Sequence, residues 1–263
     1  MSVRFRCGNA AAIIITASLL VACHRSVVPQ PAAAVPTRQV PHGDILWHFV
    51  HDQCVPNQQA GNQPPAPCKK VDTDQGYVIF KDKNGPLQYL HMPTQHVSGL
   101  EDPALLQASR TPYFAQAWHA RDYMDRLLGK AIPVQEYALT VNSKSGRSQN
   151  HLHIHISCVR PALRDRLLGM HAQFDSRWRA VPGGINGHAY QVRTLSLNEL
   201  EQRGPIALTI TSLPQARQDM ANVSLALYPL SEQQFLLFAD HRYGASAEGD
   251  FQDHRCPQLL ANH

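Results

Sequence analysis

The sequence predicts an α+β fold, an antiparallel sheet with helices packed against it. Three observations carry this. Short runs alternate along the chain in the period of a strand, most clearly residues 150–158, NHLHIHISC. Neighbouring runs are joined by short turn-forming stretches such as KDKNGP, which suit antiparallel partners rather than crossover connections. Segments with a helical apolar period separate pairs of strands, instead of alternating with single strands.

The elements follow in order. Residues 44–55, DILWHFVHDQCV, place Ile45, Leu46, Phe49 and Val50 at helical spacing, with Asp44 as the expected cap. GYVIF at 76–80 and LQYLHM at 87–92 read as strands around the Asn84-Gly85 turn. Thr111 is expected to cap a long helix at 112–130, with Pro112 at its first position and Gly129 at its end. Two more strands follow at 136–142 and 150–158, with the turn SKSGRSQ between them, and RPALRDRLLG starts a short helix. The remainder reads as a strand at 188–195, a helix around 205–220 and strands at 223–230 and 234–240. From about residue 160 the chain is therefore either a degenerate copy of the first half or an extension of its sheet.

Before this body lies MSVRFRCGNAAAIIITASLLVAC. Arg4 and Arg6 precede an apolar stretch shorter than the roughly 20 residues of a membrane span, which is the layout of a secretory signal. Its last four residues resemble the bacterial lipobox. That resemblance implies cleavage after residue 22 and acylation of Cys23; an uncleaved anchor, or a plain signal with an incidental cysteine, is the competing reading. Residues 23–42 are rich in Pro and Ala without an apolar period, so they are expected to form an extended tether. Residues 43–263 then make one domain, outside the cytoplasm and beside a membrane.

Of six cysteines, Cys54, Cys68, Cys158 and Cys256 remain once the signal and the lipidated residue are set aside. In an oxidising compartment they suit two disulfides. Three connectivities are open. Cys54 with Cys68 is favoured because the bridge would close a polar, Pro-rich segment, and this leaves Cys158 with Cys256. The net charge is +4, with Lys and Arg scattered rather than clustered, which excludes a nucleic-acid stripe.

His151, His153 and His155 fall at every second position, walled by Leu152, Ile154 and Ile156. On a strand they share one face, about 6.6 Å apart. A zinc ion needs ring nitrogens at about 2.0–2.1 Å, so two could share a metal but hardly three, and no metal or other cofactor is expected. A solvent-facing polar strand explains one histidine easily and three in strict alternation poorly. The chemical reading is a neutral imidazole attacking phosphorus while its neighbours hold its tautomer and neutralise phosphate charge.

The pattern His, apolar, His, apolar, His, apolar resembles the histidine-triad superfamily, and this implies a histidine-triad fold. The resemblance extends to Pro93 and His96, to Asp82 where the family binds ribose hydroxyls, and to Asn142 and Ser148 where it holds the α-phosphate. NSKSGRSQNHLHIHISCVRP and LWHFVHDQCVPNQ resemble more narrowly the bacterial CDP-diacylglycerol pyrophosphatases. That implies cleavage of CDP-diacylglycerol by water into CMP and phosphatidate, with the substrate held in a membrane. Its location there favours the inner membrane, although His24 follows Cys23 where an Asp often marks inner-membrane retention.

By position, His153 would be the nucleophile and form a nucleotidyl-histidine. His155 would assist the leaving phosphatidate, and His151 would support the nucleophile's tautomer. Arg147, Lys144 and backbone N–H groups of the turn would clamp the diphosphate. Gln149 and His96 are expected among the substrate-binding residues, with the part Gln149 plays left open because Arg147 stands where the wider superfamily usually has Gln. Two readings compete: a lipoprotein binding metal or a periplasmic ligand through its histidine row, and a histidine-triad hydrolase of soluble nucleotides. Nothing in the pattern fixes an oligomeric state.

Overall fold

The strand-forming runs pair into one nine-stranded sheet, antiparallel at every junction, in a computed structural model that describes residues 42–260 apart from Ser109. The signal, the tether and Cys23 lie outside the described residues. No described helix is long and apolar enough to cross a membrane.

The strands are β1 (Cys68–Asp72), β2 (Tyr77–Lys81), β3 (Tyr89–Pro93), β4 (Tyr137–Val141), β5 (Ile154–Cys158), β6 (Arg179–Ala180), β7 (Gln191–Ser196), β8 (Val223–Pro229) and β9 (Gln234–His241). Their spatial order is β1-β2-β3-β5-β4-β8-β9-β7-β6. The first half runs 2-3-5-4 and the second 6-7-9-8, the same succession, and β4 pairs with β8 where they meet.

One face of the sheet carries Ile79, Leu139, Ile154, Ile156, Leu227 and Leu237, buried with Phe114, Trp118, Leu200 and Ile206 of the covering helices. The other face is split. Val78, Leu90 and Met92 pack under the N-terminal helical run. Ala138, Ala226, Phe238 and Val192 pack with Leu163 and Leu167 of the helix Pro161–Met170. Directly paired residues share a face, so the register Leu90↔His155↔Thr140↔Ala226 puts His155 on this split face, between the two apolar clusters.

Several expected boundaries shift for identifiable reasons. The triad strand starts at Ile154, not at residue 150. Before it, Asn150 N–H donates to Gly43 O at 2.5 Å and Leu152 N–H to Val97 O at 2.6 Å, so the chain is held by loops rather than by a ladder. The expected helix at 112–130 is two helices, Tyr113–His119 and Asp122–Leu128. Between them the N–H groups of Arg121, Tyr123 and Met124 bond three residues back, a tighter turn that redirects the chain. Thr111 is not the cap; its backbone N–H and hydroxyl both reach Arg203 O. Asp44 makes no side-chain cap either, because a turn at His42–Asp44 leads into Ile45–His48, a π-helical turn Phe49–Cys54 and Val55–Gln59. The helix near 205–220 breaks at Leu213, where Pro214 opens Pro214–Gln218.

Disulfides join Cys54 to Cys68 and Cys158 to Cys256, with Cα atoms 5.5 and 5.4 Å apart. The first ties the N-terminal helical run to β1, a strand the sequence reading takes as the end of a loop. The second ties the chain's last described segment to β5.

Candidate functional site

The three histidines are buried, with His151 0%, His153 7% and His155 5% exposed, which removes the solvent-facing alternative. They do not form an even row. Only His155 belongs to the regular strand, and the His153 ring leans to within 4.8 Å of it, centroid to centroid, edge to face. That is closer than regular strand spacing gives, because His153 precedes the ladder and its direction is set by a local bond. Its Nδ1 lies 2.6 Å from the main-chain oxygen of His151. A carbonyl only accepts, so Nδ1 carries the hydrogen and the neutral ring keeps its lone pair on Nε2. His151 thus sets the His153 tautomer through its backbone. Its own ring turns away to Pro93 O, 2.9 Å from Nε2, and packs 5.2 Å from Trp47.

Burial holds the His153 pKa down to about 4, and the neighbouring His155 acts in the same direction. Burial likewise holds His151 at about 4. Both rings are neutral at neutral pH, the state a nucleophile or a hydrogen-bonding spacer requires.

His155 meets a residue that no sequence motif signals. Glu248 belongs to the short helix Ala247–Phe251, and its Oε2 stands 3.3 Å from His155 Nε2. The pair attracts electrostatically but is not aligned as a hydrogen bond, since Nε2 is buried with no bonding partner. Glu248 accepts from Asn142 Nδ2 at 2.8 Å and from His254 Nε2 at 2.9 Å, while its backbone N–H donates to Asn142 Oδ1. Burial would raise its pKa, but the bond from His254, the nearby His155 and the bond from Asn142 outweigh this and leave it at about 2. His254, two residues before Cys256, in turn bonds Ser157 on β5, the residue next to Cys158. The Cys158–Cys256 bridge therefore fixes the segment that brings Glu248 and His254 to the histidines.

These groups close one end of a cavity of roughly 680 Å³, within the usual 300–1,000 Å³ of small-ligand sites. Its polar lining includes the hairpin residues Lys81, Asp82, Lys83 and Asn84 as well as Asn142, Ser148, Gln149, His153, His155 and Glu248. Its apolar lining is Ile45, Leu46, Phe49, Phe80 and Leu90, with Phe49 and Phe80 stacked 5.4 Å apart. Gln149 joins the turn to the helical run, accepting from Leu46 N–H at 3.2 Å.

Not every residue expected at the site reaches it. The Arg147 guanidinium forms a two-bonded pair with Glu101, at 2.9 and 2.6 Å, and its side chain is only 4% exposed. It neighbours His153 electrostatically without lining the cavity. Lys144 is exposed and lies outside the lining, as does His96, whose ring packs against Trp47 and His151. The structure does not bring the expected Arg147–Lys144 clamp to the cavity: both terminal nitrogens of the guanidinium are engaged by Glu101. Asp82 is present, but Oδ1 accepts from Asn84 N–H and Oδ2 from Gln88 Nε2.

Among the described residues, the one group of metal-type donors close enough for a single ion is His188, Asp240 and Asp250, which excludes the triad. Arg242 already stands in that group, with Nε 2.7 Å from Asp240. A cavity of about 720 Å³ near Tyr77, Gln116 and His119 lacks any triad residue.

A solved structure from Bacillus cereus ATCC 10987, a DUF4931 family protein, is 15% identical over 66% of this chain and 85% of its own, with a TM-score of 0.39. The sequence model of the family described as CDP-diacylglycerol pyrophosphatase matches residues 41–260. That range takes in the N-terminal helical run, the whole sheet and the segment bearing Glu248 and His254, and the chain belongs to the CDP-diacylglycerol pyrophosphatase family of hydrolases.

Proposed function

We propose that the chain hydrolyses CDP-diacylglycerol to CMP and phosphatidate through a covalent cytidylyl-histidine on His153. The observation that carries the covalent step is the 2.6 Å bond from His153 Nδ1 to the His151 carbonyl. It leaves the Nε2 lone pair on a neutral ring at a cavity of nucleotide size. In the first step Nε2 forms a bond to the α-phosphorus and the bond to the phosphatidate oxygen breaks. In the second, water attacks the same phosphorus, the P–N bond breaks to return a neutral His153, the proton of the attacking water passes to solvent and CMP leaves. His155 donates a hydrogen bond to a phosphoryl oxygen during both steps, and the apolar wall with Phe80 receives the pyrimidine ring.

The same reading extends to the setting and the ancestry. Acylated Cys23 and the tether hold the domain at a membrane, the inner one by preference, where a diacyl substrate resides. The two disulfides support an oxidising compartment. The matching strand succession of the halves supports a histidine-triad unit copied once, with chemistry kept in the first copy.

The test is acid-quenched trapping with CDP-diacylglycerol labelled at the cytidine-side phosphorus. Label is expected on wild-type protein, mapped to His153, and absent from His153→Ala. Turnover without protein-bound label in rapid-quench samples overturns the covalent step. Membrane retention in wild type and release in Cys23→Ser tests the anchor.

A further inference from the structure

We propose that Gln88 is a positioning residue that fixes His155 as the neutral Nε2–H tautomer, making it a hydrogen-bond donor to the phosphate rather than a proton-transferring acid. This rests on the phosphate-site reading above and assigns a task to a residue no motif marks.

The chain of contacts to His155 starts at the hairpin. Asp82 accepts from the backbone N–H of Asn84 at 3.0 Å, so its carboxylate is held in place by the turn that follows β2. Its other oxygen lies 2.5 Å from Gln88 Nε2. A carboxylate oxygen only accepts, so Gln88 must present its NH₂ group there; the flipped amide would set its carbonyl oxygen against the carboxylate. The same nitrogen is 3.3 Å from His155 Nδ1. One amide hydrogen goes to Asp82 and the second points at Nδ1, which must then accept. In the neutral His155 ring the hydrogen is left on Nε2.

This orientation is retained at a cost. Gln88 is fully buried, and its Oε1 has no partner, so a desolvated acceptor is left unpaired. The chain keeps the loss in order to keep the NH₂ facing His155.

Every titratable or charged group around His155 fits a neutral donor. Gln88 blocks a proton on Nδ1, with Asp82 behind it. His153 lies 4.8 Å away on its own segment, and His254 stacks at 6.3 Å from the C-terminal segment. Glu248 is 3.3 Å from Nε2 but out of line for a hydrogen bond. It orients the N–H dipole without consuming the donor, which is left for a substrate oxygen. Burial lowers the His155 pKa and Glu248 opposes this only in part, in keeping with a ring that stays uncharged.

The experiment is ¹⁵N NMR of the histidine rings in wild type, Gln88→Met and Gln88→Glu, paired with the pH profile of kcat. In wild type at neutral pH, His155 is expected to show an acceptor-type Nδ1 and a hydrogen-bearing Nε2. Gln88→Met removes the amide at nearly constant volume. It should mix the tautomers and lower kcat on the order of 10- to 100-fold with KM little changed, less than outright loss of an oxyanion donor. Gln88→Glu should protonate both nitrogens and give kcat a new limb at the raised His155 pKa. A wild-type spectrum showing Nδ1–H or an imidazolium overturns the proposal, and it needs no variant to fold. So does a Gln88→Met protein with unchanged tautomer and kcat. Failure to trap label on His153 would leave the His155 spectrum standing, so the two readings fail separately.

Discussion

Strands β5 and β9 hold the same place in the two halves' strand orders, yet the faces they turn to the split side of the sheet have opposite characters. On β5 that face is His155 and Ser157, with His153 just ahead. On β9 it is Leu236 and Phe238, with Phe238 packed 5.0 Å from Phe251 and 6.5 Å from Tyr190. Apolar filling stabilises by removing area from water and asks little of its neighbours. Polar filling demands a partner for each atom, and the partners arrive from three separate stretches: Gln88, Asn142, and the segment with Glu248 and His254. Strand β9 contributes apolar packing where β5 carries the histidines, although the carboxylate beside His155 comes from the second half.

The sharpest way to break this comparison is to truncate one side chain in each strand region. His153→Ala should lower kcat for CDP-diacylglycerol on the order of 10⁴-fold or more, as loss of a covalent nucleophile does, with little change in Tm. Phe238→Ala should do the reverse, destabilising by about 3–5 kcal/mol while kcat, measured well below the lowered Tm, stays near wild type. Equal losses of activity in both variants would show that chemistry and rigidity are not divided between the two strands.

An acid titration tests the same division at smaller amplitude. His91, His151 and His153 are buried in the first half with pKa values held at about 4, burial being the main cause in each. Above the unfolded histidine pKa of about 6.5 both states are neutral and these rings leave stability unchanged. As pH falls from there to about 4, the unfolded chain takes protons that the folded rings refuse, and stability drops by at most about 1.4 kcal/mol per pH unit for each ring. Below 4 the loss levels off. Denaturant midpoints across pH 8 to 4 should show this window, and amide exchange at pH 5 should open β3 and β5 before β9. Earlier opening of β9 would place the acid-sensitive element elsewhere.

The parts legible in the sequence were those with local causes. The period-two runs, the Asn84-Gly85 turn and the alternation of His with Leu and Ile each announce a strand, a hairpin or a shared face from adjacent residues alone. Ser196 and Glu199 form a reciprocal capping box whose spacing was there to be read. Strand β1 was hidden because CKKVD has only Val71 and Cys68 as buried anchors, the latter bonded to Cys54 rather than patterned. Glu248, His254 and Gln88 were not legible. Their bonds to His155, Asn142 and Ser157 span 67 to 106 residues of sequence, and no spacing rule reaches that far. Arg147 was legible only in part for a related reason: its position in the turn is local, but its partner Glu101 is not.

His96 gives the finest test, because motif and geometry disagree about it. Its place after Pro93 resembles a superfamily signature, which would make it part of the site. The structure leaves it exposed, with its ring 5.0 Å from Trp47 and 6.0 Å from His151, outside the cavity lining. It touches the chemistry only through two intervening rings. His96→Ala should therefore change kcat for CDP-diacylglycerol by no more than about 3-fold and stability by about 0.5 kcal/mol, the range of surface substitutions. A loss near that of His153→Ala would mean that the loop carrying His96 closes over the cavity when substrate binds, and the site would then be built from the first half's loop as well as its strands.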